Sequence, residues 1–134
     1  MEYIRVAHDT PESDILHLLT DIWNLPLPKL IIEVTGGAKD FVLQPKLRRV
    51  FRKGIVKVAE STDAWILTGG TNTGVMKHVG KALREHTLRS KHKIHAIGVV
   101  SWGIVVGNSD KCCEINVLGT ANVVKLTSWE QQTL

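Results

Sequence analysis

The feature that most limits how this chain can fold is a unit that occurs twice: a short apolar run, a pair of glycines, then a helical stretch. Leu30-Ile31-Ile32-Glu33-Val34 leads into Gly36-Gly37, and Ala64-Trp65-Ile66-Leu67-Thr68 leads into Gly69-Gly70. Short runs of this kind, rich in β-branched residues, read as strands covered on both faces. After each glycine pair the period changes. From Pro45 to about Ser61, residues Leu47, Val50, Phe51, Ile55, Val58 and Ala59 recur at helical steps, with Gly54 as the weak point. Beyond Thr71-Asn72-Thr73-Gly74, residues Val75, Val79, Ala82, Leu83 and His86 do the same, and a third strand is expected from Ile94 to Val100. Strand and helix in alternation predict an α/β fold, a parallel sheet flanked by helices with right-handed crossovers.

Ahead of the first unit, Thr10, Pro11 and Glu12 signal a helix start: a hydroxyl cap, a proline at the first helical position, and an acid near the positive end of the dipole. Ile15, Leu18, Leu19, Ile22 and Trp23 extend one apolar face to about Asn24, where Pro26 and Pro28 end it. After Trp102-Gly103 no period is sustained. Only Ile115 to Leu118 and Val123-Val124 stand out, so the C-terminal tail is expected to be irregular.

A length of 134 residues suits one domain. The longest nearly apolar stretch, Ala96 to Gly107, is far shorter than the roughly 20 residues a membrane-spanning helix needs, so no transmembrane segment is expected. Glu2, Arg5 and Asp9 break up any secretory signal, and adjacent Cys112 and Cys113 offer no disulfide framework, which together imply a cytoplasmic protein. The net charge of +4 suits a small anionic ligand. Basic residues cluster at Lys46, Arg48, Arg49, Arg52, Lys53 and Lys57, and again at Lys77, Lys81, Arg84, Arg89, Lys91 and Lys93. The first cluster lies mainly opposite its helix's apolar stripe and reads as a solvated face, with an anionic lipid or an acidic neighbouring domain as the alternative. Apart from Phe51 on the apolar stripe, no aromatic residue is interleaved with these clusters, which argues against single-stranded nucleic acid.

In an open parallel sheet, ligands bind beyond the carboxyl ends of the strands, and both glycine turns are placed there. Gly69 to Gly74 has the glycine spacing of a P-loop, but Val75 and Met76 stand where the lysine and the hydroxyl residue would be. Neither turn supplies G-x-G-x-x-G, so no nicotinamide cofactor is expected. Glu33 is read as facing solvent. His92 and His95 lack a second ligand pair at zinc-like spacing, so no metal is expected, and nothing marks Cys112 as a nucleophile.

Taken in order, Tyr3-Ile4-Arg5-Val6, Asp9-Thr10, Leu16 to Trp23, Pro28-Lys29-Leu30, Val34-Thr35-Gly36-Gly37-Ala38-Lys39, Gln44-Pro45-Lys46-Leu47, Gly54 to Ala59, Ala64 to Gly70, Thr73 to Gly80, Ala96-Ile97-Gly98 and Trp102-Gly103 resemble the N-terminal homology region of the melastatin-type transient receptor potential (TRPM) cation channels. The resemblance implies a SLOG domain, a Rossmann-like α/β fold, with residues 1–104 forming its N-terminal part. Residues 105–134 are then a divergent tail, splice-derived or mis-annotated, and the incomplete sheet implies marginal stability. It further implies a cytosolic ligand-sensing and assembly region of a tetrameric channel, calcium-permeable or monovalent, at the inner face of the plasma membrane and not conducting by itself. An adenine-nucleotide-like anion is the implied ligand, with Thr35, Gly36, Gly37, Asp40, Gly69, Gly70, Thr71, Gly74 and Met76 as pocket candidates. No catalytic residue and no cofactor are implied, because the Pro-Gly-Gly-x-Gly-Thr-x-x-Glu loop of related nucleotide-cleaving enzymes is absent. Two alternatives remain: a small SLOG-type nucleotide-binding or nucleotide-processing enzyme, and a soluble interaction module acting on channel subunits.

Overall fold

The computed structural model describes residues 3–7, 9–37, 39–101 and 121–127. They form one parallel sheet of five strands: β1 (Tyr3–Ala7), β2 (Ile31–Val34), β3 (Trp65–Thr68), β4 (His95–Ser101) and β5 (Ala121–Thr127). The spatial order is β1-β5-β4-β3-β2, every neighbouring pair is parallel, and β2 and β1 form the two edges. Helices α2 (Pro45–Thr62) and α3 (Gly74–Thr87) connect β2 to β3 and β3 to β4. The parallel sheet flanked by helices expected from the alternation is present, and with it the Rossmann-like arrangement that the family resemblance implies.

Two apolar clusters, one on each face of the sheet, hold these layers together. On one face Ile66 and Ala96 pack with Ala59 of α2 and with Val79 and Leu83 of α3. On the other, Trp65, Leu67 and Ile97 meet Val6, Leu19 and Trp23. Successive residues of a strand point to opposite faces, which is why Trp65 and Ile66 belong to different clusters. Full burial of Ile66 and of Val79 at 1% exposure marks the centre of the helix-covered side. Burying side chains of this size contributes about 1.5–3 kcal/mol each.

The N-terminal helix departs from the expected form. Helix α1 covers only Glu12–His17 and passes into a π-helical turn at Leu18–Ile22, where the Trp23 amide donates to the Leu18 carbonyl at 2.8 Å. Pro11, not Thr10, is the cap residue, and no side chain caps the helix. The Thr10 amide instead donates to the Ala7 carbonyl at 3.2 Å. Asn24, at φ 52°, ends the segment in the left-handed region.

At the C-terminal side, the stretch read as irregular contributes a strand. Residues Ala121–Thr127 lie between β1 and β4, with Val124 in register with both Ile4 and Val99. The sheet therefore has two strands more than the three apolar runs implied. Cys112 and Cys113 lie outside the described residues. Among the described residues, no helix is long and apolar enough to cross a membrane.

Candidate functional site

Strands β2 and β3 are paired, Val34 opposite Thr68, so the loops that leave them emerge side by side at the carboxyl edge of the sheet. Their backbones touch. At Gly74, the first residue of α3, φ is +54° and a Cβ would stand 2.2 Å from the Gly37 carbonyl oxygen. At Gly36 a Cβ would stand 2.9 Å from Cγ1 of Val75. Glycine at these positions lets the β2 loop lie directly against the start of α3. The β3 turn is used differently. Gly70, at φ +66°, is packed so that a Cβ would meet the backbone of Gly98 at 3.2 Å, and Gly69 faces the buried Met76. Within this turn the Gly70 amide donates to Thr68 Oγ1, and the Thr71 and Thr73 hydroxyls are 2.9 Å apart.

Asp40 ties the two loops together. Its Oδ1 accepts from the Gly74 amide at 2.8 Å and its Oδ2 from Lys77 Nζ at 3.0 Å. The Gly74 amide, and after it the Lys77 ammonium, hold the Asp40 carboxyl below its ordinary value of 3.8. The anion at the N-terminus of α3 is thus the chain's own carboxylate, 34 residues upstream, meeting the exposed amides and the positive end of the dipole. One step further along, the His78 Nε2–H donates to the Phe41 carbonyl at 3.2 Å, and the Phe41 and His78 rings are 5.0 Å apart.

Over this junction lies a cavity of about 360 Å³ lined by Thr35, Gly36, Gly37, Lys39, Asp40, Phe41 and Val75. Of the candidates named from sequence, Thr35, Gly36, Gly37 and Asp40 line it. Gly74 forms part of its supporting backbone through Gly37 and Asp40, whereas Gly69, Gly70, Thr71 and Met76 are not among the lining residues. Lys39, Phe41 and Val75 were missing from the candidates. Val75 stands directly after the second glycine motif, and Lys39 and Phe41 flank Asp40, so proximity to the motifs was the only signal available. The lining combines apolar Phe41 and Val75 with glycine backbone, one cation, Lys39, and the Asp40 carboxylate, which is engaged by Gly74 and Lys77.

The remaining candidates lie elsewhere. Glu33 is exposed on edge strand β2. Burial first, then the charges of Lys93 and His92, lower the pKa of His95 from its ordinary 6.5. His86 Nε2–H donates to the His92 carbonyl at 3.0 Å. Among the described residues, no three His, Cys, Asp or Glu side chains are grouped so as to hold a metal ion.

The family described as SLOG in TRPM matches residues 1–131. The chain belongs to the TRPM SLOG family. It is 52% identical over 116 residues to a transient receptor potential cation channel subfamily M member-like 2 from Nematostella vectensis, covering 85% of this chain and 8% of that protein. It is 50% identical over 108 residues to subfamily M member 1 of Mus musculus, covering 81% and 7%. Identity to the mouse subfamily M member 6 is 42% over 132 residues, covering 95% and 6%. The TRPM SLOG chain thus spans less than a tenth of the length of these relatives. The family match and the mouse member 6 match both extend past Gly103, over the stretch that contains β5.

Proposed function

We propose that this TRPM SLOG chain serves as a cytosolic ligand-sensing and assembly region of a cation channel, working alongside other channel subunits and carrying no current by itself. In this reading the cavity at the β2 loop takes a small anion resembling an adenine nucleotide. The observation that supports it most is the composition of that cavity: apolar Phe41 and Val75, suited to a flat base, with Lys39 for a phosphate.

Asp40 gives the reading a mechanism. A phosphate reaching for the Gly74 amide competes with the carboxylate already there, and its arrival releases Asp40 from both Gly74 and Lys77. The loop carrying Lys39 to Phe41 then loses its polar tie to α3. A ligand that binds better to the released arrangement than to the tied one shifts the balance between them, which is what a sensor requires. No chemical step is assigned to the ligand.

Calorimetric titration of the protein with ADP tests this. We expect saturable binding that Lys39→Glu weakens by about tenfold, equivalent to about 1.4 kcal/mol, with ADP recovered unchanged. Absence of saturable heat, or equal binding by the Lys39→Glu variant, would overturn the ligand reading. Release of free base would favour the enzyme alternative.

A further inference from the structure

Helix α2 has two apolar stripes, and only one of them is used inside the domain. Phe51, Ile55, Val56 and Ala59 pack into the core, and the flank facing α3 is pinned by Arg52 to Glu85 and by Glu60 to His86. The second stripe, Leu47, Val50, Gly54 and Val58, advances by three, four and four residues and so lies along one line of the helix. Its side chains are turned to solvent: Leu47 is 55% exposed, Val50 61% and Val58 45%. Because α2 joins the edge strand β2 to β3, while α3 joins β3 to β4, the flank of α2 away from α3 is the outer one, beside the sheet edge. Strand β2 is the edge of the sheet on that side.

Two further observations say what such a surface is suited to meet. First, Lys46, Lys53 and Lys57 run along the stripe next to Val50, with Arg49 just beyond. Among the described residues none of the four has a carboxylate partner, and Pro45–Ala59 contains no acid. Second, a Cβ at Gly54 would have nothing within 4 Å, so no contact inside the domain requires glycine there. Glycine in a helix interior is costly to helix stability, and what it supplies is room for another backbone to come close.

We infer that the outer flank of α2 docks an amphipathic helix of a different protein chain, with an apolar stripe that crosses α2 at Gly54 and acidic residues aligned with Lys46, Lys53 and Lys57. Charge complementarity selects this occupant. A second copy using the same flank would set lysines against lysines. A lipid surface would use the cations and the apolar side chains but would draw no advantage from the gap at Gly54. This surface is separate from the cavity and does not depend on the ligand reading.

The test places a benzoylphenylalanine photocrosslinker at Val58 in the protein within the cells that express it, and sequences the peptides captured. We expect adducts with one acidic amphipathic segment of a different protein, reduced about tenfold by Lys53→Glu with Lys57→Glu and also by Gly54→Leu. Circular dichroism of the purified variants is expected to match the parent, since all three positions are exposed. The neutralising pair Lys53→Gln with Lys57→Gln provides a milder second variant with an intermediate loss. Adducts only with lipid, adducts with another copy of this chain, no adduct, or capture insensitive to the charge reversal would each overturn the inference.

Discussion

The two glycine turns carry nearly the same sequence signal and do different work. Gly69-Gly70 is a packed corner: Gly70 adopts φ +66° against the backbone of Gly98, and Gly69 lies over Met76. Gly36-Gly37 is an open one, bordering the cavity of about 360 Å³ and contributing its carbonyl to the close approach at Gly74. The difference follows from position in the sheet. Strand β3 has neighbours on both sides, so the turn after it is crowded by β4, while β2 is an edge strand and the chain beyond it is free to spread into a loop. A glycine pair after a strand therefore announces a tight approach without saying whether a strand, a helix or a ligand makes it.

Substitutions rank this contrast. Gly74→Ala should have the largest effect, because it combines a left-handed φ with a Cβ 2.2 Å from a backbone oxygen. We expect a loss of about 2–4 kcal/mol in a urea melt. A loss below about 1 kcal/mol would mean that the junction between the loops gives way easily. Gly70→Ala should follow, at about 1–3 kcal/mol, because its Cβ meets the backbone of Gly98 and not the far end of a flexible side chain.

Asp40→Asn separates the tie from the turns themselves. The folded-state pKa of Asp40 is depressed, so its contribution is present above the ordinary carboxylate value and is lost as the pH falls through the lowered one. The stability difference between parent and variant should therefore be constant at neutral pH and shrink below about pH 4. A difference that grows on acidification would contradict the assignment. Gly37→Ala should change stability least, within about 0.5 kcal/mol, because a Cβ there has nothing within 4 Å. A large loss at Gly37 would erase the contrast between open and packed turns.

The interior of the sheet was readable from sequence because β3 and β4 are buried on both faces and so appear as unbroken apolar runs. The same logic placed α2 and α3 through their helical spacing, within a residue or two of their observed ends. Strand β1 was not read as a strand, since Arg5 interrupts its short run, and β5 was not because Asn122, Lys125 and Thr127 break the apolar signal. They depend on pairing with each other, and β5 also on pairing with β4, long-range contacts that no local window contains. Thr10 fits the sequence pattern of a cap, but its amide is drawn back to Ala7 and Pro11 takes the cap position.

Four of the seven residues that line the cavity were legible. Gly36 and Gly37 form a turn at a strand end, and Thr35 and Asp40 came through the family resemblance. Its role did not: a cap formed across 34 residues exists only once β2 and β3 have paired. Lys39, Phe41 and Val75 carry no motif. They become neighbours only because the β2 loop folds back over the start of α3.

The central claim is that the open turn, and not the packed one, receives an anionic ligand. Amide resonances of the isotopically labelled protein, followed during titration with ADP, test it most directly. The account predicts shifts concentrated in Thr35 to Phe41 and at Gly74, with Gly69 and Gly70 nearly still. Shifts centred on Gly69-Gly70, or none at saturating ADP, would contradict it.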